Sequence, residues 1–232
     1  MELTERLKAL AKHVITGEPA ADIGTDHAKL PIYLVIHNIC PKVIATDLNE
    51  MPLNHAQSEV KEYGLLEKIE LRQGDGLSPL KPGEVKSVVI AGMGGNTIAR
   101  IIEGRPEIAR EVRLILQPMT DSYALRLKLV SRGYRIIAEE LVEEKSRLYE
   151  VIVAEAGKME NLDNVEIGLG PVLLKSRDEL TKKYLAGQKE KYRKILINLQ
   201  KAQVKDLEKV REISEILNYL EEVLKSWPIR RK

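Results

Sequence analysis

Phenylalanine is absent from this chain of 232 residues, and aromatic side chains together reach only 4%. With 31% charged residues, that poverty is a lean found in heat-adapted proteins. Cysteine occurs once, at Cys40, which excludes an internal disulfide, and no Cys/His spacing resembles a zinc site, so no structural metal is expected. No apolar run approaches the length of a membrane span, and residues 1–17 are amphipathic and charged without the apolar centre of a signal peptide. A cytoplasmic protein with no membrane contact is the expectation. What is present is a hydrophobic content of 44%, enough for one sizeable core and a small appended unit.

Charge is unevenly spread. Residues 171–232 hold 16 of the 37 Lys/Arg and 9 of the 35 Asp/Glu, which makes the tail +7 and leaves the body at −5. A positive excess on one segment is a candidate footprint for a polyanion, although a solvated helix face gives the same count.

Along the chain, Leu3, Leu7, Leu10 and Val14 recur at helical spacing until Gly17 and Pro19 stop the pattern. A first strand over 20–23 precedes an apolar helix near 28–37, and a second strand over 42–48 precedes a polar helix over about 52–63. Strands over 68–72, 87–91 and 113–116 follow, ending respectively in Gly74-Asp75-Gly76, in Gly92-Met93-Gly94-Gly95 and in Gln117-Pro118. A helix near 122–132 leads to two extended runs, 135–142 and 148–154, joined by a short charged turn that reads as a hairpin. Five alternating units closed by a hairpin predict an α/β protein with a seven-stranded, mostly parallel sheet.

A composition shift at 161–170 marks a domain boundary, with Pro171 suited to the first turn of a new helix. The expected domains are 1–160, carrying the sheet, and 161–232, a helical hairpin. In that hairpin Leu207, Val210, Ile213, Leu217, Leu220 and Leu224 recur at threes and fours, and Leu180, Tyr184, Ile195, Leu199 and Ala202 do so less regularly. Such a hairpin serves packing or dimerisation as readily as substrate binding, and both a monomer and a homodimer stay open. Its first helix, however, carries eight Lys/Arg between Lys175 and Lys194, including Lys182, Lys183 and Arg193, against three acidic residues, with Tyr184 and Tyr192 interleaved.

The loop after the first strand, Asp22-Ile-Gly24-Thr-Asp26-His27-Ala28, is where an open α/β sheet binds small molecules. A dinucleotide loop needs Gly-x-Gly-x-x-Gly, but after Gly24 the next two glycine positions hold Asp26 and Lys29. An added carboxylate repels phosphate and suits a cationic ligand, such as S-adenosylmethionine with its amino group and sulfonium. Asp47, 23 residues after Gly24, stands where an acidic residue accepts the hydroxyls of an adenosine ribose, with a plain turn aspartate as the alternative. Asp75 between Gly74 and Gly76 fits a bond to the adenine amino group, or a turn that favours Asp and Gly anyway. Asp22 is placed to meet the ligand's amino group, or to cap the turn.

These stretches resemble a known family. Asp-Ile-Gly-Thr-Asp-His-Ala at 22–28, Gly-Asp-Gly-Leu at 74–77, Ala-Gly-Met-Gly-Gly at 91–95, Leu-Gln-Pro-Met at 116–119 and Gly-Tyr-Arg-Ile-Ile-Ala-Glu-Glu at 133–140 are similar in order and spacing to the bacterial tRNA (adenine-N1)-methyltransferases of the TrmK family. The likeness covers residues 1 to about 170 closely and the tail more loosely. It implies a Rossmann-like methyltransferase, S-adenosylmethionine as donor in a site that includes Ala91 and Gly92, and a tRNA partner gripped partly by the basic hairpin. The Asn-Pro-Pro-Tyr or Asp-Pro-Pro-Tyr motif with which amino-group methylases grip an exocyclic amine is missing, which agrees with attack by a ring nitrogen.

For such a reaction positioning does most of the catalysis, since adenine N1 carries a free in-plane lone pair. A carboxylate at the N1 and N6 edge would stabilise the developing charge or later take an N6 proton. Asp26 is the first candidate, with His27 beside it; their plainer readings are a helix N-cap and a solvent-facing first-turn residue. Met93, Gly94 and Gly95 would shape the transfer passage, where a base plane approaches backbone, and Gln117 would bond a base edge. Two other classes stay open: a methylase of another RNA or a small molecule, and a non-catalytic RNA-binding or protein-binding module.

Overall fold

The computed structural model describes residues 2–160, 162–201 and 206–227. The chain divides into two compact units, Met1–Asn161 and Leu162–Lys232. In the first, the order is α1 (Glu5–His13), β1 (Ala20–Ile23), α2 (Lys29–Ile36), β2 (Val43–Asp47), α3 (Glu50–Glu62), β3 (Ile69–Gln73), β4 (Ser87–Gly94), α4 (Gly95–Gly104), α5 (Pro106–Ala109), β5 (Arg113–Thr120), α6 (Ser122–Ser131), β6 (Tyr134–Glu144) and β7 (Arg147–Ala156).

The strands form one seven-stranded sheet in the order β3-β2-β1-β4-β5-β7-β6. β1 to β5 pair in parallel, whereas β7 is antiparallel to both β5 and β6. This is the mostly parallel α/β architecture that the alternation of runs predicts. A parallel sheet covered on both faces needs strands that are apolar on both sides. β2 accordingly buries Val43, Ile44, Ala45 and Thr46 before half-exposing Asp47. α2 is apolar on several faces for the same reason, burying Leu30, Pro31, Ile32, Leu34 and Val35.

Two strands run further than their sequence suggests. β4 continues through Gly92-Met93 to Gly94, and β5 through Gln117-Pro118 to Thr120. The register between them shifts at Ala91/Met93 and again at Met93/Gly94. Pro118 has no N–H to give to a ladder, and Gly92 takes a φ of +77°, so irregular pairing lets the strands proceed where regular pairing stops. The helices α4 and α5, between β4 and β5, were not anticipated from the sequence.

The second unit contains α7 (Asn164–Leu169), α8 (Leu173–Ser176), α9 (Glu179–Lys201) and α10 (Leu207–Lys225). Asn164–Leu169 is thus a helix inside the presumed linker, closed by a capping box between Asp163 and Glu166. Pro171 does not open the long helix. It lies in a turn before α8, and α9 begins after Asp178, whose Oδ1 accepts the Thr181 N–H at 2.7 Å. Two long helices pack on each other as expected, and Ile213, Ile216 and Leu220 of α10 are buried. Leu207, by contrast, is exposed at the start of α10, and Ala202 lies outside the described residues. Tyr184 and Tyr192 are buried at 5% and 6% exposure, so they are core of this unit and do not present rings to a ligand.

One buried charge pair locks the hairpin end of the sheet. Arg126 on α6 and Glu139 on β6 have fully buried side chains with Nε and Oε1 2.7 Å apart, and Arg126 Nη1 is 2.8 Å from Glu150 Oε2 on β7. Arg126 is the cation that both carboxylates share, so removing it leaves the buried Glu139 charge without that partner, which typically costs about 3–5 kcal/mol. Urea denaturation of Arg126→Met should show a loss of that size; a loss within the range of about 0–1 kcal/mol typical of surface pairs would contradict it.

Candidate functional site

All five parallel strands end on one edge of the sheet, and the order reverses between β1 and β4, which is where an open α/β sheet leaves a crevice. The loop after β1 is fastened to β2 there: the carbonyl oxygen of Thr46 accepts both the Gly24 and the Thr25 N–H at 2.8 Å. That pair of hydrogen bonds places Gly24 beside Asp47, one residue beyond the Ile23–Thr46 pair. β3 is tied on in turn, with the Gly74 N–H on the Asp47 carbonyl at 3.0 Å. Asp22, Gly24, Asp47, Gly74, Asp75 and Gly76 therefore share one edge.

Glycine is required at Gly24. Its φ is +78°, and a Cβ there would come within 2.3 Å of the Met93 methyl carbon, Cε. Met93, from β4, thus lies over the β1 loop. Gly95 opens α4 so close to the end of β5 that a Cβ would fall 2.6 Å from the Asp121 carbonyl oxygen. Ala91 and Gly94 are half-buried and Gly92 is exposed along the same stretch.

The carboxylates differ in state. Burial pushes the Asp22 carboxyl up to about 6; a hydrogen bond with Thr25 opposes the rise and the negative charge of Asp47 adds to it. An acid in this condition is poised to gain from a cation brought against it. Asp47 is half-buried, and its Oδ1 accepts the Asn49 N–H at 2.8 Å. Asp75 is exposed at the end of β3, before a turn closed by the Ser78 N–H on its own carbonyl.

Asp26 does not cap α2. The residue at that position is Ala28, with φ of +47° and no side-chain cap bond, and Asp26 projects into solvent with 74% of its side chain exposed. Its Oδ2 lies 3.4 Å from His27 Nε2. The His27 ring stacks in turn on His55 of α3, with centroids 5.5 Å apart and planes 7° from parallel.

Gln117 departs from the sequence reading. The structure buries it completely, and its Oε1 accepts from Arg6 Nη1 at 2.6 Å and from the Gly92 N–H at 3.2 Å, while its Nε2 donates to the Pro118 carbonyl at 2.9 Å. A side chain so engaged holds the β4 irregularity in shape; it does not reach a base edge. Sequence reasoning missed Arg6, which comes from α1, and His55. Neither carries a local signal, because each acquires its partner only through the fold.

Lys182, Lys183 and Arg193 are exposed on α9. Lys189 pairs with Glu221 of α10 at 3.0 Å, so part of the basic run is used within the hairpin. Among the described residues, no helix is long and apolar enough to cross a membrane.

The profile of the family described as "tRNA (adenine(22)-N(1))-methyltransferase" (TrmK) matches residues 20–222. Over 232 residues the chain is 34% identical to the tRNA (adenine(22)-N(1))-methyltransferase of Bacillus subtilis (strain 168), covering 97% of this chain and 98% of that one. The crystal structure of the B. subtilis m1A22 tRNA methyltransferase TrmK matches with a TM-score of 0.87 at 33% identity, covering 96% of this chain and 99% of that chain. The structure of Streptococcus pneumoniae Sp1610 in complex with S-adenosyl-L-methionine matches with a TM-score of 0.84 at 34% identity, over 96% and 100%.

Proposed function

The chain belongs to the tRNA (adenine(22)-N(1))-methyltransferase family, and from that premise we propose how its strand-end site moves a methyl group from S-adenosylmethionine to N1 of adenine 22 in tRNA. The observation that carries the reading is the gathering of Asp22, Gly24, Asp47 and Asp75 on one edge, with the Asp22 carboxyl raised by burial and by the charge of Asp47. Those residues fit the donor. Asp22 takes its amino group, Asp47 the ribose hydroxyls and Asp75 the adenine amine, while the backbone of Gly24, Gly74, Gly76, Ala91 and Gly92 lets it lie close.

Bound donor supplies an electrophilic sulfonium methyl. The protein's part is to hold adenine N1 in line with that methyl and to meet the charge that appears on the base. Asp26, free of any capping duty, is the carboxylate for the N1 and N6 edge, with His27 at its side. Met93, lying over Gly24, together with Gly94 and Gly95 bounds the passage between donor and base. Gln117 acts at one remove, by fixing Gly92. Lys182, Lys183 and Arg193 of the tail supply phosphate contacts, which the extrusion of a base from folded tRNA requires. Residues 1–160 accordingly form the donor-binding domain, and 161–232 the hairpin that holds RNA.

A cationic amino group binds the ionised form of Asp22, so donor binding drives a proton off this carboxyl and affinity rises with pH through about 6. Between pH 7 and pH 5 the donor's affinity should fall about tenfold, since each unit below the pKa costs one factor of ten. Calorimetric titrations across that range check it, with Asp22→Asn flattening the profile. A flat profile for the unaltered protein would contradict the assignment of Asp22.

Asp26→Asn keeps the shape of the side chain and removes its charge. Loss of one charged contact to a transition state typically costs on the order of a hundredfold in rate. Single-turnover methylation should slow by about that factor while calorimetry finds donor affinity unchanged; a full rate would remove Asp26 from the chemistry.

A further inference from the structure

Two of the chain's four histidines meet at one place, next to a carboxylate. Asp26 and His27, in the turn after β1, and His55, in the second turn of α3, each offer one donor atom, and the three atoms all lie within 4.8 Å of one another. No other group of three or more His, Cys, Asp or Glu side chains among the described residues converges in this way. We propose that Asp26, His27 and His55 form a binding site for one divalent transition-metal ion, zinc foremost, and that an ion bound there switches off methyl transfer.

The geometry fits that class of ion. Two ligands about 2.0–2.1 Å from a tetrahedral ion stand about 3.4 Å apart. Asp26 Oδ2 and His27 Nε2 are separated by 3.4 Å. The third donor closes the gap by rotation of an exposed imidazole, since His55 is exposed and His27 half-buried, and neither ring is wedged into the core. Two imidazoles and one carboxylate suit zinc, cobalt, nickel or copper. They do not suit magnesium, which demands six oxygens in octahedral array and keeps much of its water. The magnesium that accompanies folded RNA therefore leaves the site open. With three protein ligands the fourth position falls to water, and the Asp26 oxygen is held on the metal, away from a base edge.

The binding half of this inference stands on geometry alone; the inhibitory half rests on the role given to Asp26 above. His55 separates them, because it has no part in the donor site or the chemistry. The test uses the full chain stripped of metal by a chelator. Zinc chloride titrated by calorimetry should bind one to one, and excess magnesium chloride should not displace it. Cobalt chloride in place of zinc should give the intense visible bands of a tetrahedral ion. His55→Ala should weaken zinc binding by at least the 10–100-fold that loss of a supporting group costs a metal site. In single-turnover assays with tRNA, zinc should arrest the unaltered protein, whereas His55→Ala should turn over at the unaltered rate with or without the same zinc. Equal zinc affinity in His55→Ala and the unaltered protein would overturn the site. Tight, His55-dependent zinc binding that leaves turnover untouched would overturn the inhibitory half and remove Asp26 from the base edge.

Discussion

The carbonyl oxygen of Thr46, accepting two successive N–H groups from the neighbouring strand's loop, is the contact on which the site depends. It fixes where β1 stops and turns, so Gly24 comes to rest beside Asp47 and Asp26 is thrown outward. A loop attached to its own helix alone would be free to swing. Here the parallel sheet sets the spacing between Asp22, Asp47 and Asp75 before any ligand arrives. A rigid, pre-formed edge of this kind spares the ligand the ordering of its own site, and that economy is what positioning catalysis relies on.

The other wall of the crevice is built by the opposite device. Where β1 and β2 are pinned in register, β4 and β5 run on past their regular pairing through Gly92, Met93 and Pro118. The irregularity is held by a buried amide: Gln117 receives Arg6 from α1 and the Gly92 N–H on a single oxygen. Arg6 is itself anchored, with its backbone N–H on Glu144 and its guanidinium over the Tyr149 ring. The N-terminal helix thereby supports the irregular end of β4 through side chains more than a hundred residues away in sequence.

Much of this was legible in the sequence because it is local. Strand ends declare themselves where an apolar run meets Asp or Gly, which is why Asp47, Gly74-Asp75-Gly76 and the loop at Asp22 could be placed on one edge, and why the hairpin after Arg132 stood out. What escaped is what folding alone brings together. Gln117 follows an apolar strand and looks like a rim residue, but strand continuation through Pro118 turns it inward. His55 sits in a polar helix with nothing nearby in sequence to mark it, and only the β1 loop gives it partners. Tyr184 and Tyr192 have the spacing of a stacking surface, yet packing of α9 takes both into the second unit's core. Pro171 fits a helix start by its chemistry, while Asp178 wins that place because its carboxylate can satisfy a free N–H.

The central claim is that this edge delivers a methyl group to one ring nitrogen of one base. Methylation at N1 blocks the Watson-Crick edge, so it arrests reverse transcriptase at the modified position. The direct measurement is to incubate the protein with S-adenosylmethionine and tRNA lacking the modification, and to map the arrests along the product. The account predicts a single new arrest, at adenine 22, that requires the donor. An arrest at another nucleotide, or methyl incorporation that produces none, would contradict it.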